Sequence, residues 1–364
     1  MQAGAIPLIA GPAEVTAEWL TRVLRHAGLL HRGSVVGVES HSVGTGQMGL
    51  SVRYTLQYDS TEECVPRSVV CKMPSADPTS RGTALAMRNY ETEVNFYRDL
   101  ARTVDMRTPR CHFADIDLAT GAFVLVLEDL APCEQGDQLA GCSVDRAALA
   151  MEELARLHAP RWGDRDLSQY DWLNRNTPAA VDVLVGLMDG LIPGFLARYG
   201  PRLAPDHLRV AEHLVSCVGM WMRGHEQPFT VQHADYRLDN MLFGTSAGGY
   251  PLAVVDWQTV LYGPPLSDAS YFLGAGLLPH DRRANERQLL RLYHRALLAR
   301  GVRGFSWKRC WNQYRRYAFS GLLMAIGASM MVVQTERGDE MFLTMASRHA
   351  EQVLDLDAED FLEN

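Results

Sequence analysis

The spacing of apolar residues changes several times along the chain, and each change predicts a different element. Between residues 14 and 26 apolar side chains recur at helical spacing and Gly28 follows, which predicts an amphipathic helix with a glycine stop. Runs rich in β-branched residues then predict three strands, at residues 34–43, 50–58 and 68–73. Because their connections are short, we expect these strands to form an antiparallel meander.

Helical spacing returns at residues 83–103, where Tyr90, Glu93 and Val94 fall on one face of a predicted helix. The apolar run FVLVL at 123–127 predicts a further strand. Beyond residue 143 helical patterns dominate, and two short apolar runs interrupt them. The helices are predicted at 143–158, 181–199, 207–225 and from 268 to the end, and the strands at 229–232 and 252–256.

Strands before residue 130 and helices after it predict an α+β protein. We predict two lobes, a β-rich lobe over residues 1–130 and a mainly helical lobe over 131–364. The length of 364 residues agrees, since such a chain buries one large core in two lobes or two separate cores. Hydrophobic residues make up 47% and charged residues 21%, which excludes the disordered and collagen-like classes.

The net charge of −8, from 35 Lys plus Arg against 43 Asp plus Glu, has the wrong sign for a general nucleic-acid binder. Seven scattered cysteines without a CxxC pair argue against a disulfide framework, and residues 1–12 do not resemble a secretory signal. We therefore expect a cytoplasmic protein. The uncharged run at 318–333 is shorter than the roughly 20 residues that a bilayer span needs, so we predict a buried helix there and no membrane span.

The segment HADYRLDN at residues 233–240 carries the strongest chemical signal in the chain. Its HxDxxxxN spacing is expected by chance roughly 0.02 times in a chain of this composition. Phosphoryl transfer needs an Asp beside the acceptor hydroxyl, together with an amide oxygen and a second carboxylate that hold magnesium. Asp235, Asn240 and Asp256, the last in the apolar run LAVVDW, supply these groups.

Three neighbours of this motif have structural as well as chemical interpretations. Arg237 either neutralises the transferring phosphoryl group with its fixed fork of donors or is a solvated loop arginine. We expect His233 to pack and hydrogen-bond behind the loop rather than to transfer a proton. We expect Asp268 to cap the helix that follows it rather than to bind substrate.

The N-terminal half contains groups that suit phosphates. Gly44, Gly46 and Gly49 lie between two predicted strands and would let backbone amides approach phosphate oxygens, with a plain hairpin turn as the alternative. A dinucleotide site is disfavoured because it needs a helix after the glycines. Lys72, one of two lysines in the chain, lies in an apolar strand, where a cation must find an anion or lose its proton. Glu93, on the inward face of its predicted helix, can be that anion; an ordinary surface salt bridge is the alternative.

Three segments together resemble the aminoglycoside phosphotransferase and choline kinase-like superfamily: LARLHA at 154–159, HADYRLDNMLF at 233–243 and VVDWQTVLYGPPLSD at 254–268. Two more are similar to its hinge and to its Glu-bearing helix: FVLVLEDL at 123–130 and ETEVNFYRDL at 91–100. The resemblance therefore covers nearly the whole chain. Within the superfamily, DWQ at 256–258 and the late helices with Tyr314 and Arg316 are most similar to the ecdysteroid-kinase-like branch and its bacterial relatives.

The resemblance implies a bilobal protein-kinase-like fold that transfers the γ-phosphoryl group of ATP, or of GTP, to a hydroxyl of a small molecule. It implies that Asp235 is the catalytic Asp and that Asn240 and Asp256 bind Mg²⁺. The residues expected to bind the nucleotide are Gly44, Gly46, Gly49, Lys72, Glu93, Glu128 and Leu130. The oligomeric state stays open.

Two other functions stay under consideration. The first is a nucleotide-binding pseudokinase that regulates a partner without turnover. The second is a zinc hydrolase using His233, Asp235 and Asp256, which is disfavoured because no second histidine lies nearby. The chain also departs from the family pattern in three ways: Ala234 replaces the usual Gly, DWQ replaces the DFG of protein kinases, and the glycine loop is spaced one residue differently before Val52.

The acceptor leaves only a weak signature in the sequence. An amine-rich acceptor would call for carboxylates in the helical lobe, whereas residues 306–345 are rich in aromatic residues and methionines. This content favours an apolar or steroid-like alcohol, with ordinary core packing as the alternative. The residues concerned are Trp307, Trp311, Tyr314, Tyr317, Phe319, Met324, Met330, Met331 and Phe342.

Overall fold

A computed structural model describes residues 6–44, 48–60, 62–175 and 177–362. Its N-terminal part contains a helix, α1 (Ala17–His26), and a five-stranded antiparallel sheet. The strands are β1 (Val35–Ser42), β2 (Gly49–Tyr58), β3 (Ser68–Pro74), β4 (Cys111–Asp117) and β5 (Ala122–Glu128), in the spatial order β1-β2-β3-β5-β4. The predicted meander is present. Sequence analysis missed β4, whose apolar alternation is interrupted where Phe113 and Ala114 follow each other and whose residues are all half-buried.

The register of the sheet separates its two faces. Ser51 pairs with Lys72 and Arg53 with Val70 across β2 and β3. The residues between them, including Val52, are buried against α1 in a core of their own. Since successive side chains of a strand point to opposite faces, the side chains at 51, 53, 70 and 72 face away from that core.

The prediction of one continuous helix at residues 83–103 is wrong. The chain instead forms α2 (Pro78–Ala86) and α3 (Asn89–Asn95), and a π-helical turn follows at Phe96–Leu100. Arg88 separates the two helices because its backbone is left-handed (φ 58°), a conformation that a right-handed helix cannot include. Its guanidinium pairs with Glu91, 2.9 Å away, on the outer face of α3.

The C-terminal part is mainly helical, as predicted. Its helices are α4 (Val144–His158), α5 (Pro178–Tyr199), α6 (Pro205–Arg223), α7 (Pro265–Gly276), α8 (Pro279–Ala299), α9 (Trp307–Arg316), α10 (Ser320–Met331) and α11 (Glu336–Asp355). Side-chain oxygens cap several of them; Ser143, for example, accepts a hydrogen bond from the amide of Arg146 at the start of α4. The predicted run at 318–333 contains α10, whose inner face is buried.

Two small sheets hold the segment that carries the HxDxxxxN motif. One consists of β6 (Glu134–Gln135), β9 (Met241–Thr245) and β10 (Gly248–Val254), and the other of β7 (Asn174–Arg175), β8 (Thr230–Gln232) and β11 (Leu261–Gly263). The motif lies between β8 and β9, and Asp256 follows β10. Phe96 stacks on Trp257 at 4.0 Å, so the Glu-bearing region packs directly against the residue after Asp256.

One helical segment of the described residues, Pro178–Arg202, is long and apolar enough to cross a membrane, with a mean hydropathy of 1.7. Length and composition alone are weak evidence for a span, because core helices pass the same test. In the fold, α5 packs on α6 and α10.

Candidate active site

A single carboxylate holds the backbone of the motif segment. Asp268, in the first turn of α7, accepts hydrogen bonds from the amides of His233 (2.7 Å) and Ala234 (2.9 Å). The expectation that Asp268 caps its own helix is therefore wrong, because its oxygens face the loop rather than the helix end. Ala234 adopts a left-handed backbone (φ 65°), the conformation in which the family's usual Gly carries no steric cost.

His233 has the structural role that was expected. Its side chain is buried, its Nε2 lies 3.1 Å from the carbonyl oxygen of Val255, and its Nδ1 accepts from the amide of Asp235 at 3.3 Å. These contacts assign the proton to Nε2. Both ring nitrogens are engaged by backbone, so the ring offers no free nitrogen to a zinc ion.

Asp235 is surrounded by donors. The Tyr271 hydroxyl donates to Oδ1 at 2.8 Å, the Asn240 side-chain amide donates to Oδ2 at 2.8 Å, and Nε of Arg237 lies 3.1 Å from Oδ1. Burial alone would raise the pKa of Asp235, but the charge of Arg237 and the Tyr271 and Asn240 hydrogen bonds outweigh it and lower that pKa below its ordinary value. Asp235 is therefore a carboxylate at neutral pH.

Arg237 is not a solvated loop residue. Its side chain is 19% exposed, and its Nη1 donates to Asp239 at 2.5 Å and lies 3.3 Å from the sulfur of Met341. Burial would lower its pKa, but Asp235 and Asp239 raise it, so the guanidinium stays charged. A fixed cation thus lies directly beside the carboxylate of Asp235.

The structure brings Lys72 and Glu93 together, as predicted, and adds Asp256 to the pair. Nζ of Lys72 lies 2.6 Å from Glu93 Oε2 and 2.7 Å from Asp256 Oδ1. Burial would lower the pKa of Lys72, but the two carboxylates outweigh it and raise that pKa. Burial raises the pKa of Glu93, with the ammonium opposing it. Glu93 also accepts from the amide of Trp257 at 3.2 Å, which ties α3 to the strand end that carries Asp256.

Asn240, Asp256 and Gln258 form a set of oxygen donors that suits a hard cation such as Mg²⁺. The amide nitrogen of Asn240 is committed to Asp235, which leaves its oxygen as the free end. Asp256 has a left-handed backbone (φ 68°), and its Oδ2 lies 3.4 Å from the Gln258 amide nitrogen. The Gln258 Oε1 is buried and has no hydrogen-bond partner among the described residues. An unsatisfied buried oxygen beside a carboxylate fits a bound cation.

A cavity of about 270 Å³ lies between the N-terminal sheet and the motif segment. We call it the nucleotide cavity, after the role proposed for it below. Eight of the nine residues predicted to bind the nucleotide or the metal line it: Gly44, Gly49, Lys72, Glu93, Glu128, Leu130, Asn240 and Asp256. Gly46 lies outside the described residues. A Cβ at Gly49 would lie 3.3 Å from Lys72, so the glycine makes room for the lysine stem. The Glu128 carboxylate turns to Arg107, 2.7 Å away, so the backbone of this residue is what remains for a ligand.

A second cavity, of about 420 Å³, lies on the other side of the motif. We call it the acceptor cavity, after the role proposed for it below. Six methionines line it: Met48, Met87, Met324, Met331, Met341 and Met345. The two cavities share Met48, Arg237, Asp239, Asp256 and Gln258, whereas Asp235 lines the acceptor cavity alone.

Three of the nine residues proposed from the sequence for an apolar pocket line the acceptor cavity: Met324, Met331 and Phe342. Tyr314, Tyr317 and Phe319 are fully buried core residues. Trp307 and Trp311 lie under the guanidinium groups of Arg291 and Arg287, so they pack at the α8–α9 contact instead.

Sequence reasoning missed Tyr271 and Asp239. Tyr271 lies three residues after Asp268 on α7, and residues three apart share a helix face. That spacing was an available signal, since both side chains reach the same loop. Asp239 is 4% exposed and accepts from the amide of Gln138 at 3.0 Å as well as from Arg237, so it holds the arginine in place.

Comparison with known proteins identifies the family. The APH family model, described as "Phosphotransferase enzyme family", matches residues 68–307, more than half of the chain. The chain belongs to this phosphotransferase family. The matched range contains Lys72, Glu93 and the whole segment from the motif to Asp256. A search of curated protein sequences found no match.

Solved structures share the fold of this phosphotransferase. A Ralstonia eutropha JMP134 protein, provisionally described as an aminoglycoside phosphotransferase, is 16% identical with a TM-score of 0.54, covering 92% of this chain and 97% of its own. Cryptosporidium parvum choline kinase is 11% identical with a TM-score of 0.54, covering 90% and 94%. Plasmodium vivax ethanolamine kinase is 9% identical with a TM-score of 0.51, covering 85% and 81%. The predicted α+β, kinase-like fold is confirmed.

Proposed function

We propose that this phosphotransferase moves the γ-phosphoryl group of ATP, or of GTP, to the hydroxyl of an apolar small molecule. The observation that carries the proposal is the meeting of the two cavities. Lys72 lies on the wall of the first, Asp235 on the wall of the second, and Arg237 belongs to both. A triphosphate in the first cavity and an alcohol in the second would therefore meet beside Asp235.

In this proposal Asp235 accepts a hydrogen bond from the acceptor hydroxyl, aligns its oxygen with the γ-phosphorus and takes up the proton late. Lys72 orients the phosphates, and Arg237 stabilises charge on the transferring group. Asn240 and Asp256 would hold Mg²⁺, which supplies charge neutralisation on the phosphates. Because the transition state of phosphoryl transfer is loose, positioning and electrostatic stabilisation account for most of the reduction of the activation barrier.

The charges in the acceptor cavity support a neutral acceptor. Among the described residues, each carboxylate on its wall already faces a cation: Asp235 and Asp239 face Arg237, and Asp256 faces Lys72. A polycationic aminoglycoside would find no free carboxylate there, whereas methionine side chains adapt to an apolar shape. We therefore propose a steroid-like or similarly apolar alcohol, and the sequence resemblance to the ecdysteroid-kinase-like branch supports the same class.

The test is Mg²⁺-dependent ADP release with a panel of sterol, polyketide and aminoglycoside alcohols. We expect turnover with at least one apolar alcohol, and Asp235→Asn should lower it by about 10²–10⁴-fold while MgATP affinity stays within about twofold. Asp166→Asn, in a surface turn, is the matched control. Activity confined to aminoglycosides would contradict the apolar acceptor. Nucleotide binding without turnover, and without slow ATP hydrolysis in the absence of an acceptor, would favour the pseudokinase.

A further inference from the structure

The nucleotide cavity has an arginine, Arg53, in the part of its wall that the N-terminal sheet forms. This part lies at the opposite end of the cavity from Asn240 and Asp256, the proposed metal ligands. Along β2, Gly49, Ser51 and Arg53 alternate toward the cavity, and all three line it. Arg53 pairs across the strands with Val70, which lines the cavity two residues before Lys72. Lys72 marks the phosphate end, so Arg53 and Val70 lie farther along the cavity, near the hinge.

The residues that line this end of the cavity come from three parts of the chain, and we call the space beside them the slot. The N-terminal sheet contributes Arg53 and Val70, the C-terminal part contributes Leu242 of β9, and the chain between them contributes Leu130. Apart from Arg53, these side chains are aliphatic. A nucleotide with its phosphates at Lys72 would place its base in this slot.

Arg53 is held in place by the hinge itself. Its Nε lies 2.6 Å from Oδ2 of Asp129, and its Nη2 donates to Oδ1 at 2.9 Å. Asp129 is fixed in turn, because Oδ2 also accepts from the Ser68 hydroxyl at 2.6 Å and Oδ1 from the amide of Ala131 at 3.1 Å. The Arg53 side chain remains 29% exposed, whereas that of Asp129 is 4% exposed.

A guanidinium that is paired at its edge can still offer its planar face to a ring. Planar guanidinium groups stack on aromatic faces, and arginine stacking on nucleobases contributes to binding without reading the base sequence. Nε and Nη2 of Arg53 lie beside Asp129, and its Nη1 lies 3.4 Å from Nε2 of His41. The planar face is therefore the surface that Arg53 can offer to a ligand.

We propose that Arg53, clamped by Asp129, forms the ceiling of the base site and binds the purine by stacking on it. The inference rests on the proposed function, since it presupposes a nucleotide in this cavity. It makes Arg53 a determinant of nucleotide affinity that acts on the base, whereas Lys72 acts on the phosphates. The two contributions are therefore separable with a ligand that lacks the base.

The experiment is calorimetric titration of the full chain with MgATP, MgGTP and magnesium tripolyphosphate. Arg53→Lys is the main variant, because it keeps a cation beside Asp129 and removes the planar group; Arg53→Val is the second. We expect both to weaken MgATP and MgGTP by about three- to thirtyfold and to leave tripolyphosphate within about twofold. Lys72→Met, the contrasting variant, should weaken all three ligands. Thermal melting of each variant checks that it is folded.

The remaining outcomes separate the inference from the function on which it rests. Unchanged nucleotide affinity in folded Arg53→Lys would overturn the stacking role alone. Equal weakening of tripolyphosphate would show that Arg53 acts as a general cation, and weakening of one purine only would show an edge contact; either overturns stacking. A wild-type chain that binds none of the three ligands would overturn the proposed function, and the inference with it.

Discussion

The two cavities that meet at Arg237 differ in how their walls are built. The nucleotide cavity is lined by glycines and by charged side chains that pair with one another, such as Lys72 with Glu93 and Asp256. The acceptor cavity has six methionines in its wall, beside the charged residues that it shares with the nucleotide cavity. A triphosphate has a fixed charge and needs fixed partners, whereas an apolar acceptor needs only a shape that flexible side chains can adjust. Changes in the first cavity should therefore affect folding and nucleotide binding together, and changes in the second should affect acceptor use alone.

The largest effect should come from Lys72→Met. The variant leaves Glu93, 1% exposed, and Asp256, 19% exposed, side by side without their cation. Removing one partner of a buried ion pair costs about 3–5 kcal/mol, so we expect the free energy of unfolding to fall by that order and MgATP binding to be lost. Urea denaturation and calorimetry measure the two effects.

The stability that Lys72→Met loses should depend on pH. Burial already raises the pKa of Glu93, and the charge of Asp256 adds to that rise. Without Lys72 only the hydrogen bond from the Trp257 amide opposes it. A carboxyl whose folded-state pKa is raised destabilises the fold above that pKa and is relieved by protonation below it. The destabilisation should therefore shrink as the pH is lowered toward the acid range. Lys308→Met, which changes the other lysine at an exposed position, should alter neither stability nor binding.

A smaller effect is expected from Tyr271→Phe, which removes one hydrogen bond to the carboxylate of Asp235. A hydrogen bond to a charged group is worth about 1.5–3 kcal/mol, so turnover should fall about tenfold or more. Burial alone would raise the pKa of Asp235, and the Tyr271 hydroxyl is among the groups that bring it below its ordinary value. Its loss should raise that pKa, so the acidic limb of the turnover profile should move to higher pH.

A matched control separates this role from a loss of stability. Tyr58→Phe removes a hydroxyl that donates to the carbonyl oxygen of Pro66 at 2.7 Å, in the N-terminal sheet. It should leave the turnover profile in place. Equal profiles for Tyr271→Phe and wild type would show that Tyr271 only packs against the loop.

The same contrast explains how much the sequence could predict. Asp235 and Asn240 are close in the chain, and Lys72 and Glu93 lie on faces that simple periodicity assigns, so their chemistry and spacing sufficed. The acceptor cavity combines segments far apart in the chain, from Met48 to Met345, and no local pattern brings them together. Asp268 was misassigned for a related reason, because a helix cap and a contact to a distant loop use the same position in the first turn of a helix.

The acceptor cavity should tolerate change better. Met87, just after α2, is 39% exposed and lines this cavity but not the other. Truncating it removes part of an apolar contact, so Met87→Ala should raise KM for an apolar alcohol about fivefold and leave MgATP affinity unchanged. Met220→Ala, at a position that is 48% exposed on α6, is the control and should change neither quantity. A loss of MgATP affinity in Met87→Ala would remove the functional separation of the two cavities.

The smallest effect should be seen at Ala234. This residue belongs to the motif, but its side chain is uncharged and it lines neither cavity. A left-handed backbone at a residue with a Cβ costs about 1–2 kcal/mol, which glycine would relieve. Glycine also makes the unfolded chain more flexible, and this offsets about 0.4–1 kcal/mol of the relief. Ala234→Gly should therefore raise the free energy of unfolding by about 0–1.6 kcal/mol, with turnover unchanged. Ala148→Gly, inside α4, should lower it by about 0.5–1 kcal/mol because the backbone there is right-handed. If both variants lose stability equally, the left-handed turn stores no strain, and the alanine is as suitable at this position as the family's glycine.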